Sequence, residues 1–268
     1  MAELVVESAD GTKISSQSYG EGRPLVVVSG ALFASELWQR VVPLLSAERS
    51  VYVVDRRGRG KSGNAQPYAP EREIEDVLAV LAALPGPVDL LGHSSGAILS
   101  LQVAERQPVN LSRLIAYEPP VFFAESDGIA GDLPDRLEAL LASGEPEAAV
   151  ETFFLEGPRT SEAELRNMKA GPAWSQMVKT LAHTVPYDSR VQRSLAELSS
   201  LSRVRIPTLL LLGTASPLRM QNAARIVAKA LPNARLGELA GQQHVAMLLA
   251  PTLFAAAVNE FLQATNTF

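Results

Sequence analysis

Residues Gly92-His93-Ser94-Ser95-Gly96 form a G-x-S-x-G pentapeptide between the largely apolar run Val88-Asp89-Leu90-Leu91 and a helical stretch. A strand that reverses tightly into a helix forces its turn residue into strained backbone space and exposes that side chain at the sheet edge. Glycines two before and two after the serine remove the Cβ atoms that would collide as strand and helix close together. Ser94 is therefore the candidate nucleophile. A serine hydroxyl is a poor nucleophile at neutral pH and needs a base. The chain has three histidines: His93 in the pentapeptide, His183 in mid-chain, and His244 in Gly241-Gln242-Gln243-His244. The side chain of His93 is expected to point away from that of Ser94.

The elements that must position these groups follow from the apolar pattern. Val5–Glu7 and Ile14–Tyr19 flank Asp10-Gly11, a hairpin signal. Pro24–Ser29 and Val51–Asp55 read as strands buried on both faces, and Val88–Leu91 and Arg113–Tyr117 as two more. Helical periodicity covers Glu36–Leu45, Ile74–Leu84 and Ser95–Arg106. The alternation stops from about Val121 to Leu201, a block of helices rich in Ala, Leu and Glu. It resumes with a strand at Ile206–Leu212, a helix at Gln221–Leu231, a strand at Ala234–Leu239 and a final helix at Val245–Leu262. The prediction is α/β, with a mostly parallel eight-stranded sheet, helices on both faces and an inserted helical cap. Residues 1–120 and 202–268 would form the core domain and residues 121–201 the cap or lid.

Composition narrows the function classes. The 268 residues are 47% hydrophobic and 20% charged, with net charge −5 and no cysteine. Disulfides, thiolate metal sites and cysteine nucleophiles are excluded. The basic residues are scattered, so nucleic acid has no electrostatic footprint. The densest run, Arg56-Arg57-Gly58-Arg59-Gly60-Lys61, is short and sits in a loop. No signal-peptide pattern and no long uncharged apolar stretch is present, so a soluble cytoplasmic protein without membrane contact, monomeric or homodimeric, is expected.

On open α/β sheets, active sites lie beyond the carboxyl ends of the strands. The polar residues there are Ser29 with Gly30, Asp55, Glu118, Ser216 and its neighbours, and His244 after the last strand. Together with Val26–Gly30, Trp38, the Asp55–Gly63 loop, Gly92–Gly96, the Leu209–Gly213 strand with Pro217, and His244 before an apolar helix, the chain resembles the α/β-hydrolase family over nearly its full length outside the helical block. The resemblance implies His244 as base. It also implies an oxyanion hole from the backbone N–H groups of Ala31 and Ser95. The plain alternative for His244 is a helix-capping or surface histidine. Many members carry histidine before the oxyanion-loop glycine; here Ser29 stands there, as a loop-stabilising hydroxyl.

The third triad member departs from the pattern. In most members an aspartate follows the seventh strand, about three residues after a glycine. Here Gly213-Thr214-Ala215-Ser216-Pro217 puts Ser216 at that position. A neutral hydroxyl cannot stabilise the imidazolium that forms when His244 takes a proton. Glu118, after the sixth strand in Tyr117-Glu118-Pro119-Pro120, is the expected substitute. Lactone hydrolases resembling zearalenone hydrolase place a glutamate after this strand. Pro119 is expected to hold Glu118 in an extended backbone. The alternatives are a plain surface glutamate, Asp188 of the cap as the acid, or no acid at all.

Other residues have more ordinary expectations. Asp55, Arg56 and Arg57 read as structural salt-bridge residues. Leu32, Phe33 and Trp38 either line an acyl pocket or, for Trp38, anchor a helix in the core. Phe122, Phe123, Phe153, Phe154, Trp174, Met177 and Tyr187 read mainly as cap core, with some facing the site. His183, Tyr187 and Asp188 are polar candidates for substrate contact. The reading is a cofactor-free, metal-free serine hydrolase that cleaves a small, mainly apolar carboxylic ester or lactone through an acyl-enzyme. Its rivals are a cofactor-independent lyase, perhydrolase or oxygenase on the same fold, and a non-catalytic small-ligand binder.

Overall fold

The computed structural model describes residues 2–121, 131–195 and 197–264. Phe122 and Phe123 lie outside the described residues. The chain opens with the hairpin β1 (Ala2–Glu7) and β2 (Lys13–Tyr19), turned at Asp10-Gly11, where Gly11 takes φ +82°. Then come β3 (Arg23–Val28), a 3-10 turn at Ser35–Trp38, the one-turn helix α1 (Val42–Leu45) and β4 (Arg49–Val54). The helix expected over Glu36–Leu45 is therefore two short turns. Pro43 sits in the first turn of α1, where its missing N–H costs nothing, but a longer helix running through it would lose a hydrogen bond.

The next elements are α2 (Pro70–Ala82), β5 (Val88–His93), α3 (Ser95–Glu105) and β6 (Leu111–Tyr117). Between β6 and the next strand the described chain is helical: α4 (Leu133–Ala142), α5 (Pro146–Glu156), α6 (Glu162–Ala170), α7 (Trp174–Leu181) and α8 (Val185–Ser194), with 3-10 turns at Ala182–Thr184 and Leu198–Arg203. The core resumes with β7 (Thr208–Gly213), α9 (Leu218–Ala230) and β8 (Ala234–Leu239). The expected last helix is split into α10 (Ala246–Leu249) and α11 (Pro251–Gln263), because Pro251 removes a backbone donor where one helix would have needed it.

The eight strands form one sheet in the order β1-β2-β4-β3-β5-β6-β7-β8. β2 runs antiparallel to β1 and β4; the other pairings are parallel. Burial on both faces explains the unbroken apolar runs. Along β3, Val26 and Val28 pack with Ile74, Ile98 and Leu101 on one face, while Leu25 and Val27 pack with Trp38, Phe254 and Phe261 on the other.

Strand order reverses on either side of β3, and in open α/β sheets such a reversal is where ligands bind, beyond the carboxyl ends of the strands. In register, Val28 pairs with Gly92, Gly92 with Ala116, and Tyr117 with Leu211. Ser29, Ser94 and Glu118 therefore stand just past the tips of adjacent strands. The helical insertion reaches this edge. Leu32 packs in one cluster with Leu133, Phe153 and Trp174, and His183 Nε2 donates to the Gly58 carbonyl at 2.8 Å.

Candidate active site

Ser94 adopts φ +56°, ψ −126°, close to the first central residue of a type II′ turn and costly for any residue with a Cβ. The flanking glycines are sterically required. A Cβ on Gly92 would lie 2.5 Å from the Gly96 carbonyl oxygen. One on Gly96 would lie 2.4 Å from the carbonyl oxygens of both Val28 and Ser29. A Cβ on Gly30 would meet the Ser94 Cβ at 2.7 Å, so the loop after β3 lies against the sharp turn at Ser94. Ala31 and Leu32 follow directly, Leu32 with φ +57°. Ser95 opens α3, where the first four N–H groups of a helix lack intrahelical acceptors.

Glu118 is fully buried and held at both carboxylate oxygens. Oε1 accepts from the Gly213 N–H at 2.7 Å and from the Ser216 hydroxyl at 2.6 Å; Oε2 accepts from His244 Nδ1 at 2.7 Å. Ser216, at the place where a carboxylate was expected, thus serves as a donor that orients Glu118. Glu118 does not have the extended backbone that Pro119 suggested. It takes φ +46°, a left-handed turn that aims its side chain across β7 at His244. With Nδ1 donating to Glu118, the His244 Nε2 lone pair is left for a proton. Among the described residues Ser94 Oγ and His244 Nε2 share no hydrogen bond within 3.5 Å, a spacing common in unliganded sites.

The loop carrying His244 is clamped from below. His93 is fully buried, and its Nε2–H donates to the His244 carbonyl at 2.8 Å; the Tyr117 hydroxyl donates to the Gln243 carbonyl. Burial, with the neighbouring His244, pushes the His93 pKa well down, so it stays neutral. The loop approaches β7 so closely that a Cβ on Gly213 would lie 2.2 Å from the Gln242 carbonyl oxygen. Sequence reasoning missed the supporting roles of Ser216, Tyr117 and His93, because each depends on a partner more than 90 residues away.

Several other expected contacts fall elsewhere. Trp38 is wholly buried, packed on His93 and Phe254, and donates its Nε1–H to Ser29 Oγ at 2.8 Å. It is a core anchor and a support of the loop after β3, not a pocket wall. Trp174 lies in the insertion's core with its Nε1–H on Glu147. Tyr187 stacks on Tyr68 at 3.8 Å and bonds Gln66 and Asn64, and His183 is spent on Gly58. Leu32 lines a cleft of about 600 Å³ beside the loop after β3. Asp188 does not touch His244; it is buried on Arg56, Arg59 and Ser95. Arg57 pairs with Asp10 and Asp76, the structural use expected of it. Asp55 has no salt bridge among the described residues and instead accepts the Lys61 N–H.

Residues 25–257 match the family model of the alpha/beta hydrolase family. The chain belongs to that family. Among solved structures, an alpha/beta hydrolase from Sphaerobacter thermophilus superposes with a TM-score of 0.88 at 37% identity, covering 97% of this chain and all of that one. A pimeloyl-[acyl-carrier protein] methyl ester esterase from Edwardsiella ictaluri is 28% identical over 89% of this chain and 93% of its own length. The (E)-2-((N-methylformamido)methylene)succinate hydrolase of Acinetobacter baylyi is 24% identical over 92% of each chain. These relatives of the alpha/beta hydrolase chain are hydrolases. Among the described residues no helix is long and apolar enough to cross a membrane, and no cluster of three or more metal-ligating side chains occurs.

The buried carboxylates predict a pH response. Burial works to raise the pKa of Glu118, but the His244, Ser216 and Gly213 donors outweigh it and leave it lowered. The same holds for Asp188, where Arg59, Arg56 and Ser95 outweigh burial. A carboxylate with a depressed folded pKa contributes stability above its unfolded value, about pH 4, and loses it as pH falls through the folded value. Asp55, Asp76 and Asp89 are pushed upward by burial, so the melting temperature alone mixes both signs. The difference between wild type and Asp188→Asn isolates one group. Thermal melts should show that gap widest near neutral pH and narrowing below about pH 4; a constant gap would contradict the depressed pKa.

Proposed function

We propose that the protein is a serine hydrolase that cleaves a small, mainly apolar carboxylic ester or lactone through an acyl-enzyme. The observation that carries this reading is the 2.7 Å bond from His244 Nδ1 to the buried Glu118 carboxylate, beside a serine held in left-handed backbone. Ser94 Oγ attacks the carbonyl as His244 Nε2 takes its proton. Glu118 stabilises the imidazolium and fixes its tautomer. The N–H groups of Ala31 and Ser95 receive the oxyanion. His244 then protonates the leaving alkoxide. Water, deprotonated by the same imidazole, resolves the acyl-enzyme; the original Ser94 proton has left with the alcohol, and the proton taken from water passes through His244 to restore the Ser94 hydroxyl.

The apolar substrate class rests on the cleft beside the oxyanion loop, walled by Leu32, Phe33, Leu37, Met177 and Leu181 with Glu36 as its charged member. The helical insertion supplies its far wall through α7, which supports reading the insertion as a cap. The test is incubation with a fluorophosphonate, followed by peptide mapping and a pre-steady-state trace on 4-nitrophenyl butyrate. A single adduct on Ser94 and a burst of nitrophenol are expected. Absence of both would overturn the hydrolase reading in favour of a binder of small apolar ligands.

A further inference from the structure

One buried ion cluster at the active-site edge has no part in the Ser94–His244–Glu118 chemistry. The Arg56 guanidinium lies bidentate on Glu73, with Nε to Oε2 at 2.7 Å and Nη2 to Oε1 at 2.8 Å. Its remaining nitrogen, Nη1, faces three acceptors: Asp188 Oδ1 at 2.8 Å, Ser95 Oγ at 3.0 Å and the Ser29 carbonyl at 3.2 Å. The Ser95 hydroxyl in turn donates to Asp188 Oδ1 at 2.8 Å, and Arg59 Nη2 closes on Asp188 Oδ2 at 2.5 Å. Arg56, Arg59, Glu73, Asp188 and Ser95 are all at most 2% exposed. Two cations and two carboxylates are thus withdrawn from water. Such a cluster is seldom more stable than well-packed apolar residues of the same volume, so a role beyond bulk stability has to be sought at the atoms it touches.

Those atoms belong to the two oxyanion segments. Ser29 begins the loop that carries the Ala31 N–H, and Ser95 itself carries the second N–H. One guanidinium nitrogen therefore ties the tip of β3 to the first residue of α3, and Asp188 on α8 holds that nitrogen and the Ser95 hydroxyl together. We propose that Arg56 and Asp188 are positioning residues that set the separation of the two backbone donors, acting through the Ser29 carbonyl and the Ser95 hydroxyl. Donors must fall within 2.7–3.1 Å of the place where the oxyanion forms, and small displacements are felt in the transition state far more than in substrate binding. The insertion's helix α8 thereby takes part in catalysis without reaching the substrate. This inference rests on the serine-hydrolase reading.

The test uses Ser95→Ala, which removes the hydroxyl and keeps the N–H, and Asp188→Asn, which keeps the shape and removes the charge. Active sites are counted by fluorophosphonate titration, so that lost fold does not pass for lost rate. The readouts are kcat per titrated site, KM for 4-nitrophenyl butyrate, and Ki for an alkyl trifluoromethyl ketone, whose hemiketal oxyanion occupies the same donors. Each variant is expected to lose about tenfold to a hundredfold in kcat. The ketone should weaken in parallel and KM should stay within about twofold, with the double variant no worse than the poorer single one. Ser95→Ala carries the test alone if Asp188→Asn does not fold. Unchanged kcat per site and unchanged Ki in Ser95→Ala would overturn the inference while leaving the hydrolase reading intact. A wild type that neither labels nor hydrolyses would overturn both.

Discussion

Glu118→Gln is expected to lower kcat by about four orders of magnitude while leaving the fold in place. The substitution is nearly isosteric, and a carbonyl oxygen at the Oε1 position still accepts from the Gly213 N–H and the Ser216 hydroxyl. Those two donors therefore force the new NH2 group toward His244 Nδ1. A nitrogen facing it must accept, so the imidazole carries its proton on Nε2 and can no longer take one from Ser94. The loss comes from the wrong tautomer and from the missing negative charge beside the imidazolium. Steady-state kinetics on titrated enzyme would check it, and a decline under tenfold would remove Glu118 from the proposed triad. Adding Ser216→Asp to Glu118→Gln should recover part of the rate, since it returns a carboxylate to a position already within hydrogen-bond range of residue 118.

The second large effect separates strain from chemistry. Ser94→Ala and Ser94→Gly should each lower kcat by roughly 10⁵- to 10⁶-fold, because both lack the attacking oxygen. Their stabilities should differ. At φ +56°, ψ −126° a Cβ costs about 1–3 kcal/mol, and glycine is free of that cost. The greater freedom of glycine in the unfolded chain offsets about 0.5–1 kcal/mol of the gain. Ser94→Gly is therefore expected to melt a few degrees above Ser94→Ala. Equal melting temperatures would mean that the elbow holds no strain of this size. Wild type carries that strain because a sharp reversal is what lifts Oγ above the sheet edge.

How much of this could be read from the chain depends on how local the cause was. The Asp10-Gly11 hairpin, the apolar strands β3 to β6 and the elbow with its two glycines follow from neighbours within a few residues, and each appears where the pattern placed it. The long helices expected over Glu36–Leu45 and Val245–Leu262 were misjudged in extent, since an apolar period says nothing about where a proline ends a turn. The contact of Glu118 with His244 was suggested by its place at a strand tip and by the resemblance to lactone hydrolases with a glutamate after the sixth strand, with Asp188 or no acid as alternatives. The backbone of Glu118 was not legible, because a left-handed φ before proline is imposed by the partners of its side chain. Trp38, Trp174 and Tyr187 illustrate the same limit. An aromatic side chain has the same preference for burial whether the wall it meets belongs to the core or to a pocket.

The sequence by itself determined the alternating strands and helices, the sharp turn at Ser94, and the short roster of polar residues able to stand at strand tips. Those depend on steric and hydrophobic preferences that act over a few residues. Only the tertiary structure decided which of them meet. Glu118 and His244 are 126 residues apart and Ser95 and Asp188 are 93, and each pair lies 2.7–2.8 Å apart because sheet register and the packing of α8 on α3 bring them there. A hydrogen bond needs placement to within a few tenths of an ångström, and that placement belongs to the packed whole rather than to any segment of the chain.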